Sequence, residues 1–121
     1  MGARSVQVVQ ISGTLRFPPR GEPFTVTRVH LAVRDVSELD GPARTVAQLD
    51  LPGVQVPATG LEVPFTVHAE LPDPARTYAL RAHADTDGSG SVKPGDLVTT
   101  SVHVVGPSGR PAVLPLEPVT D

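Results

Sequence analysis

The sequence predicts an all-β protein: a single antiparallel β-sandwich domain over residues 1–121, built from about seven short strands. Three observations carry that expectation. The apolar positions recur with period two in segment after segment. The composition holds nineteen Val against one Ile and one Met, with 14 Pro and 11 Gly, which favours short strands and frequent turns over helices. No stretch combines a capping residue with an apolar stripe at helical spacing.

The elements follow in order. From Val6 to Arg16, Val9, Ile11, Gly13 and Leu15 share one side. Phe17-Pro-Pro-Arg-Gly-Glu-Pro23 breaks the chain, because two consecutive prolines remove ladder donors. Phe24 to Val36 reads as one strand, with Val29, Leu31 and Val33 against Arg28, His30 and Arg34. A turn-rich crossing, 37–42, precedes a short strand near Thr45–Leu51, and Pro52–Gly60 reads as a loop. Leu61–Leu71 is the cleanest strand: Leu61, Val63, Phe65, Val67, Ala69 and Leu71 inward, Glu62, Thr66, His68 and Glu70 outward. Two further strands, Thr77–Ala84 and Leu97–Val105, flank an acidic loop. Pro111–Pro118 is proline-rich and at best an edge strand, so the ends, about 1–5 and 106–121, are expected to be loosely ordered.

With Phe17, Phe24, Phe65 and Tyr78 as its only large rings, the core must be built from Val, Leu and Ala. A net charge of −3 and so few aromatics exclude a nucleic-acid surface built on phosphate contacts or base stacking. Without cysteine there is no disulfide, thiolate site, cysteine nucleophile or lipidated N-terminal cysteine. Neither an apolar leader nor a membrane-length segment is visible, so the chain as written is expected in the cytoplasm, without a membrane anchor. Were a signal segment to precede it in a longer form, it would be exported.

Residues 85–96, Asp-Thr-Asp-Gly-Ser-Gly-Ser-Val-Lys-Pro-Gly-Asp, carry the sharpest chemistry. Oxygen side chains fall at positions one, three and five (Asp85, Asp87, Ser89), glycine at six (Gly90), and a carboxylate at twelve (Asp96). With the Ser91 carbonyl at seven, this is the oxygen spacing that holds Ca2+ in an EF-hand loop. The period-two flanks make it a hairpin connection between strands, not a helix–loop–helix. Lys93 at nine and the short Asp96 at twelve predict a weak site, with a dissociation constant of ~10⁻⁴ to 10⁻³ M. A plain polar turn rich in Gly, Asp and Ser remains the alternative. As a peripheral loop, it should tolerate Asp85→Ala or Asp87→Ala without harm to the metal-free fold.

Other constellations are weaker. His30, His68, His83 and His103 are expected on solvated faces, on separate strands and without the pairing that marks a zinc site. Gly88-Ser-Gly90 is neither a nucleophile elbow nor a phosphate loop, and no enzymatic activity is expected. Asp35, Glu38 and Asp40 read as a hydrated acidic turn.

The Val9-Gln-Ile-Ser-Gly-Thr14 opening, the Val33-Arg-Asp-Val-Ser37 strand end, the Ala-Arg-Thr-Val-Ala47 strand, Val63-Pro-Phe65 and Arg76-Thr-Tyr-Ala-Leu-Arg-Ala82 resemble the YbaY-like family, related to type III secretion pilotin lipoproteins. The resemblance spans roughly residues 8–104. It implies a small non-catalytic β-sandwich, usually an exported lipoprotein, whose pilotin members act as chaperones escorting an outer-membrane secretin. The chain departs from that pattern in having no cysteine and in carrying the Asp-rich hairpin. Two functions are therefore expected to compete. One is a calcium-binding module with a structural or protein-binding role. The other is a metal-independent, pilotin-like adaptor for a partner peptide.

Overall fold

Alternation of Val, Leu and Thr with charged residues drives the chain into strands throughout. The computed structural model describes residues 7–37, 44–71, 76–100, 103–105 and 112–120. In order, the strands are β1 (Gln7–Phe17), β2 (Phe24–Val26), β3 (Arg28–Asp35), β4 (Arg44–Leu51), β5 (Val54–Val56) and β6 (Leu61–Leu71). Then come β7 (Tyr78–Asp85), β8 (Leu97–Val98), β9 (His103–Val104), β10 (Ala112–Pro115) and β11 (Glu117–Pro118). The class is all-β and sandwich-like, as expected, but with eleven strands rather than about seven.

One sheet has the order β10-β1-β6, and the facing sheet runs β11-β8-β7-β3-β4, with β9 also on β7. Pairing is antiparallel except between β1 and β10, which run parallel from Gly13↔Ala112 to Arg16↔Pro115. The side chains expected inward meet between the sheets: Ile11 and Leu15 of β1, Val29, Leu31 and Val33 of β3, and Phe65, Val67, Ala69 and Leu71 of β6 are all buried. Tyr78, Leu80, Ala82 and Ala84 complete this core from β7. Gly13 is there because nothing larger fits: a Cβ would lie 2.3 Å from the Ala112 carbonyl and 2.7 Å from the Phe65 ring.

Three expectations need correction. The strand read as Phe24–Val36 divides at Thr27, whose N–H leaves the ladder and donates to the Asp85 carbonyl at 2.9 Å. The released piece, β2, pairs with β5 inside the segment expected to be a loop, and Val26 and Val56 are fully buried there. The C-terminal tail, expected to be loose, supplies β10 and β11 from Ala112 onward. Leu114 (0% exposed) and Leu116 (2%) anchor it in the core. Burying two leucines outweighs the donors that its prolines lack. Residues 1–6, 106–111 and 121, together with Glu38 and Asp40 of the acidic turn, lie outside the described residues.

Candidate functional site

The register of the larger sheet creates a row of polar side chains on its outer face. His30 of β3 stands opposite Asp50 of β4 on one side and His83 of β7 on the other. Because side chains alternate, Asp85 lies on the same face as His83, two residues along β7. The chain then curls through 86–95 and returns with Asp96 immediately before β8. The curl needs Gly88 and Gly90, at φ of +77° and +83°, the left-handed region that costs glycine little.

The curl folds back over the row and buries its carboxylates. Asp85 and Asp96 are both 0% exposed. Asp85 Oδ1 accepts from the Gly88 N–H at 2.9 Å, and its Oδ2 accepts from the Gly90 N–H at 2.7 Å. The same Oδ2 meets His30 Nε2 at 3.2 Å, while His30 Nδ1 meets Asp50 at 3.0 Å. Asp96 Oδ1 accepts from the Thr86 hydroxyl at 2.6 Å and the Thr86 N–H at 3.0 Å. Its Oδ2 accepts from His83 Nε2 at 2.8 Å and from the Lys93 N–H at 3.3 Å. An ionised carboxylate only accepts, so His83 carries its proton on Nε2 when Asp96 is charged.

Electrostatics follow from these partners. Burial works against the Asp85 charge, but the Gly90 N–H, His30 and the Gly88 N–H outweigh it and hold the carboxyl below its ordinary value. Asp96 is lowered the same way: the desolvation cost is overcome by Thr86, His83 and Lys93. His30 is raised, because Asp50 and Asp85 favour its cation more than burial disfavours it. The two imidazoles lie side by side, with centroids 5.5 Å apart.

The residues expected to hold Ca2+ are thus divided between two places. Asp85 and Asp96 converge at the base of the loop. Asp87 is exposed and paired with the Lys93 ammonium, and its Oδ1 accepts from the Ser89 N–H at 3.1 Å. The Ser89 hydroxyl faces Ser91, donating to its carbonyl at 3.4 Å and accepting from its N–H at 3.3 Å. What joins the two buried carboxylates is an imidazole. One ligand atom each from His83, Asp85 and Asp96 lie within 4.8 Å of one another.

The loop is therefore not peripheral, and the expectation of solvated histidines is corrected at three positions. His83 is 9% exposed and His30 is partly covered, because the returning loop closes over the face their strands present. His68 is exposed, as expected. His103 is half-buried, with an Nε2 that meets no partner among the described residues. The sequence did carry a signal for the buried group: His83 and Asp85 stand at i and i+2 on one strand, so a shared face follows from period two.

A second feature lies at the far end of the β1–β6 pair. A groove of about 600 Å³ runs between Phe17, Leu61 and the β10–β11 bend at Pro115 and Leu116, with Arg16 and Glu62 paired at 3.3 Å on its rim.

Neither a family model nor a curated protein matches the chain. Among solved structures it is similar to an alternative pilotin from the type II secretion system of Vibrio cholerae. The two share 17% identity with a TM-score of 0.58, and the match covers 92% of this chain and 98% of the other. At that identity the likeness speaks to architecture, and the fold is pilotin-like.

Proposed function

We propose that the protein is a non-catalytic, pilotin-like adaptor that holds a segment of a partner protein. The observation that carries this reading is the fold likeness, which runs through 92% of one chain and 98% of the other. The apolar groove beside Phe17, Leu61 and Leu116 supports it, because a concave apolar surface with one polar pair at its rim suits a peptide with apolar anchors. Overlapping peptides that tile an outer-membrane secretin test it, read by fluorescence anisotropy. One contiguous stretch should bind the wild type and lose binding to Leu61→Arg, which places a charge on the groove wall. Binding by no peptide, or binding indifferent to Leu61→Arg, overturns it.

A second reading, calcium binding by the 85–96 loop, is favoured by the left-handed glycine at position six and its N–H on Asp85. To join a cage, Asp87 must leave Lys93 and Asp96 must release His83. Both costs favour a weak site. At about 100 times its dissociation constant, calcium would stabilise the domain by about 2.7 kcal/mol. Melting unchanged by calcium well above ~10⁻³ M defeats this reading.

A further inference from the structure

We propose that His83, Asp85 and Asp96 form a buried binding site for a divalent d-block cation of the Zn2+ class, beneath the 86–95 loop. The site is distinct in its donor set from an all-oxygen calcium cage. Three ligand atoms within 4.8 Å, each from a buried residue, are the core of the case. A tetrahedral ion with ligand bonds near 2.0–2.1 Å has ligand–ligand edges of about 3.3 Å. The His83 Nε2 and Asp96 Oδ2 atoms, now 2.8 Å apart, need only part by about half an ångström, while Asp85 closes in.

Charge supplies the second argument. Asp85 and Asp96 are wholly buried, and their ion-pair partners among the described residues are imidazoles. His30 is divided between Asp85 and Asp50. The loop's ammonium, Lys93, is spent on exposed Asp87. Two buried anions balanced chiefly by neutral N–H groups are what a divalent ion would neutralise.

The third argument is the surrounding shell. Metal-binding carboxylates and imidazoles are oriented by outer partners. Here His30 braces Asp85 and is itself braced by Asp50, while Thr86 holds Asp96 through two bonds. A set of one imidazole and two carboxylates excludes Ca2+ and Mg2+ as preferred ions, since both take oxygen. It resembles the three-protein-ligand sets that leave a fourth position to water. On entry the ion takes the lone pair of His83 Nε2, and the single ring proton, on Nε2 in the metal-free network, moves to Nδ1.

The test begins with chelator-treated protein and zinc chloride alone, followed by calorimetry. Binding of one equivalent and a raised melting temperature are expected. His83→Gln should abolish the gain, His30→Gln should weaken binding about ten- to a hundredfold, and Asp87→Asn should leave it unchanged. Asp87→Asn also separates this site from the calcium reading, which it should impair. In case His83→Gln does not fold, the imidazole nitrogens of the wild type are followed by long-range proton–nitrogen NMR. One equivalent of Zn2+ should move a ring nitrogen of His83 and leave His68 in place. No binding, adventitious binding at His68 alone, or binding unaffected by His83→Gln overturns the proposal.

Discussion

Replacing Asp96 by Ala in the metal-free protein should be among the most damaging single changes in the molecule. The carboxylate accepts from Thr86 twice, from His83 and from Lys93, and is wholly inaccessible to solvent. Bonds to a charged acceptor contribute about 1.5–3 kcal/mol each, but the N–H groups of Thr86 and Lys93 lie in the loop and regain water. What stays uncompensated is buried His83 and the lost closure of the loop, a net loss of about 3–5 kcal/mol. Against a typical total of about 5–15 kcal/mol, that is a large share. Asp87→Ala removes an exposed pair with Lys93, worth about 0–1 kcal/mol. Urea denaturation in the presence of a chelator, with midpoints compared at equal slope, measures both. Should Asp96→Ala lie within about 1 kcal/mol of the wild type, or Asp87→Ala match it, the buried network is not what holds the loop.

Phe65→Ala should cost about 3–5 kcal/mol by opening a cavity opposite Gly13, whereas His68→Ala, exposed on the same strand, should change stability by no more than about 0.5 kcal/mol. Equal losses in urea midpoints would invert the assigned faces of β6. Gly13→Val should prevent β10 from docking, seen as lost amide protection at Leu114, since the Ala112 carbonyl would lie 2.3 Å from the new Cβ. The pH dependence has two sides. Asp35, beside the Ser37 N–H and Arg76, is lowered from 3.8 together with Asp85 and Asp96, so their contribution is full above that value and lost as acid carries the pH through the folded values. His30 is raised from 6.5, so its contribution is full below 6.5 and lost as pH rises through its folded value. The urea midpoint should therefore be greatest between about pH 4 and 6.5, and His30→Gln should remove the decline on the alkaline side while also weakening the acid-side contribution of Asp85.

Where one face of a strand is apolar and the other charged, the residues alone determine its bounds. Leu61–Leu71 is the same in sequence and structure because no residue in it breaks period two. The division at Thr27 was not legible, since it depends on an acceptor, the Asp85 carbonyl, nearly sixty residues away. The prolines that argued against order in the tail were outweighed by Leu114 and Leu116, whose burial depends on the two sheets being in place. At the loop, spacing singled out Asp85 and Asp96, which the structure buries together at its base. It placed His83 on the outer face of the sheet, but whether that face is wet is decided by where the loop returns, a tertiary fact without a local pattern. The acidic loop and the histidine face were thus each readable, and their contact was not.

Amide hydrogen exchange in the metal-free protein tests most directly the claim that the 85–96 loop is fastened from beneath by buried carboxylates. The Thr86, Gly88 and Gly90 N–H groups donate to Asp96 and Asp85, so their exchange should be slowed well below that of the exposed Val92. In Asp96→Ala the protection of Thr86 should vanish. Exchange of all three at the rate of an open loop in the wild type, with protection appearing only after a cation is added, would contradict the claim.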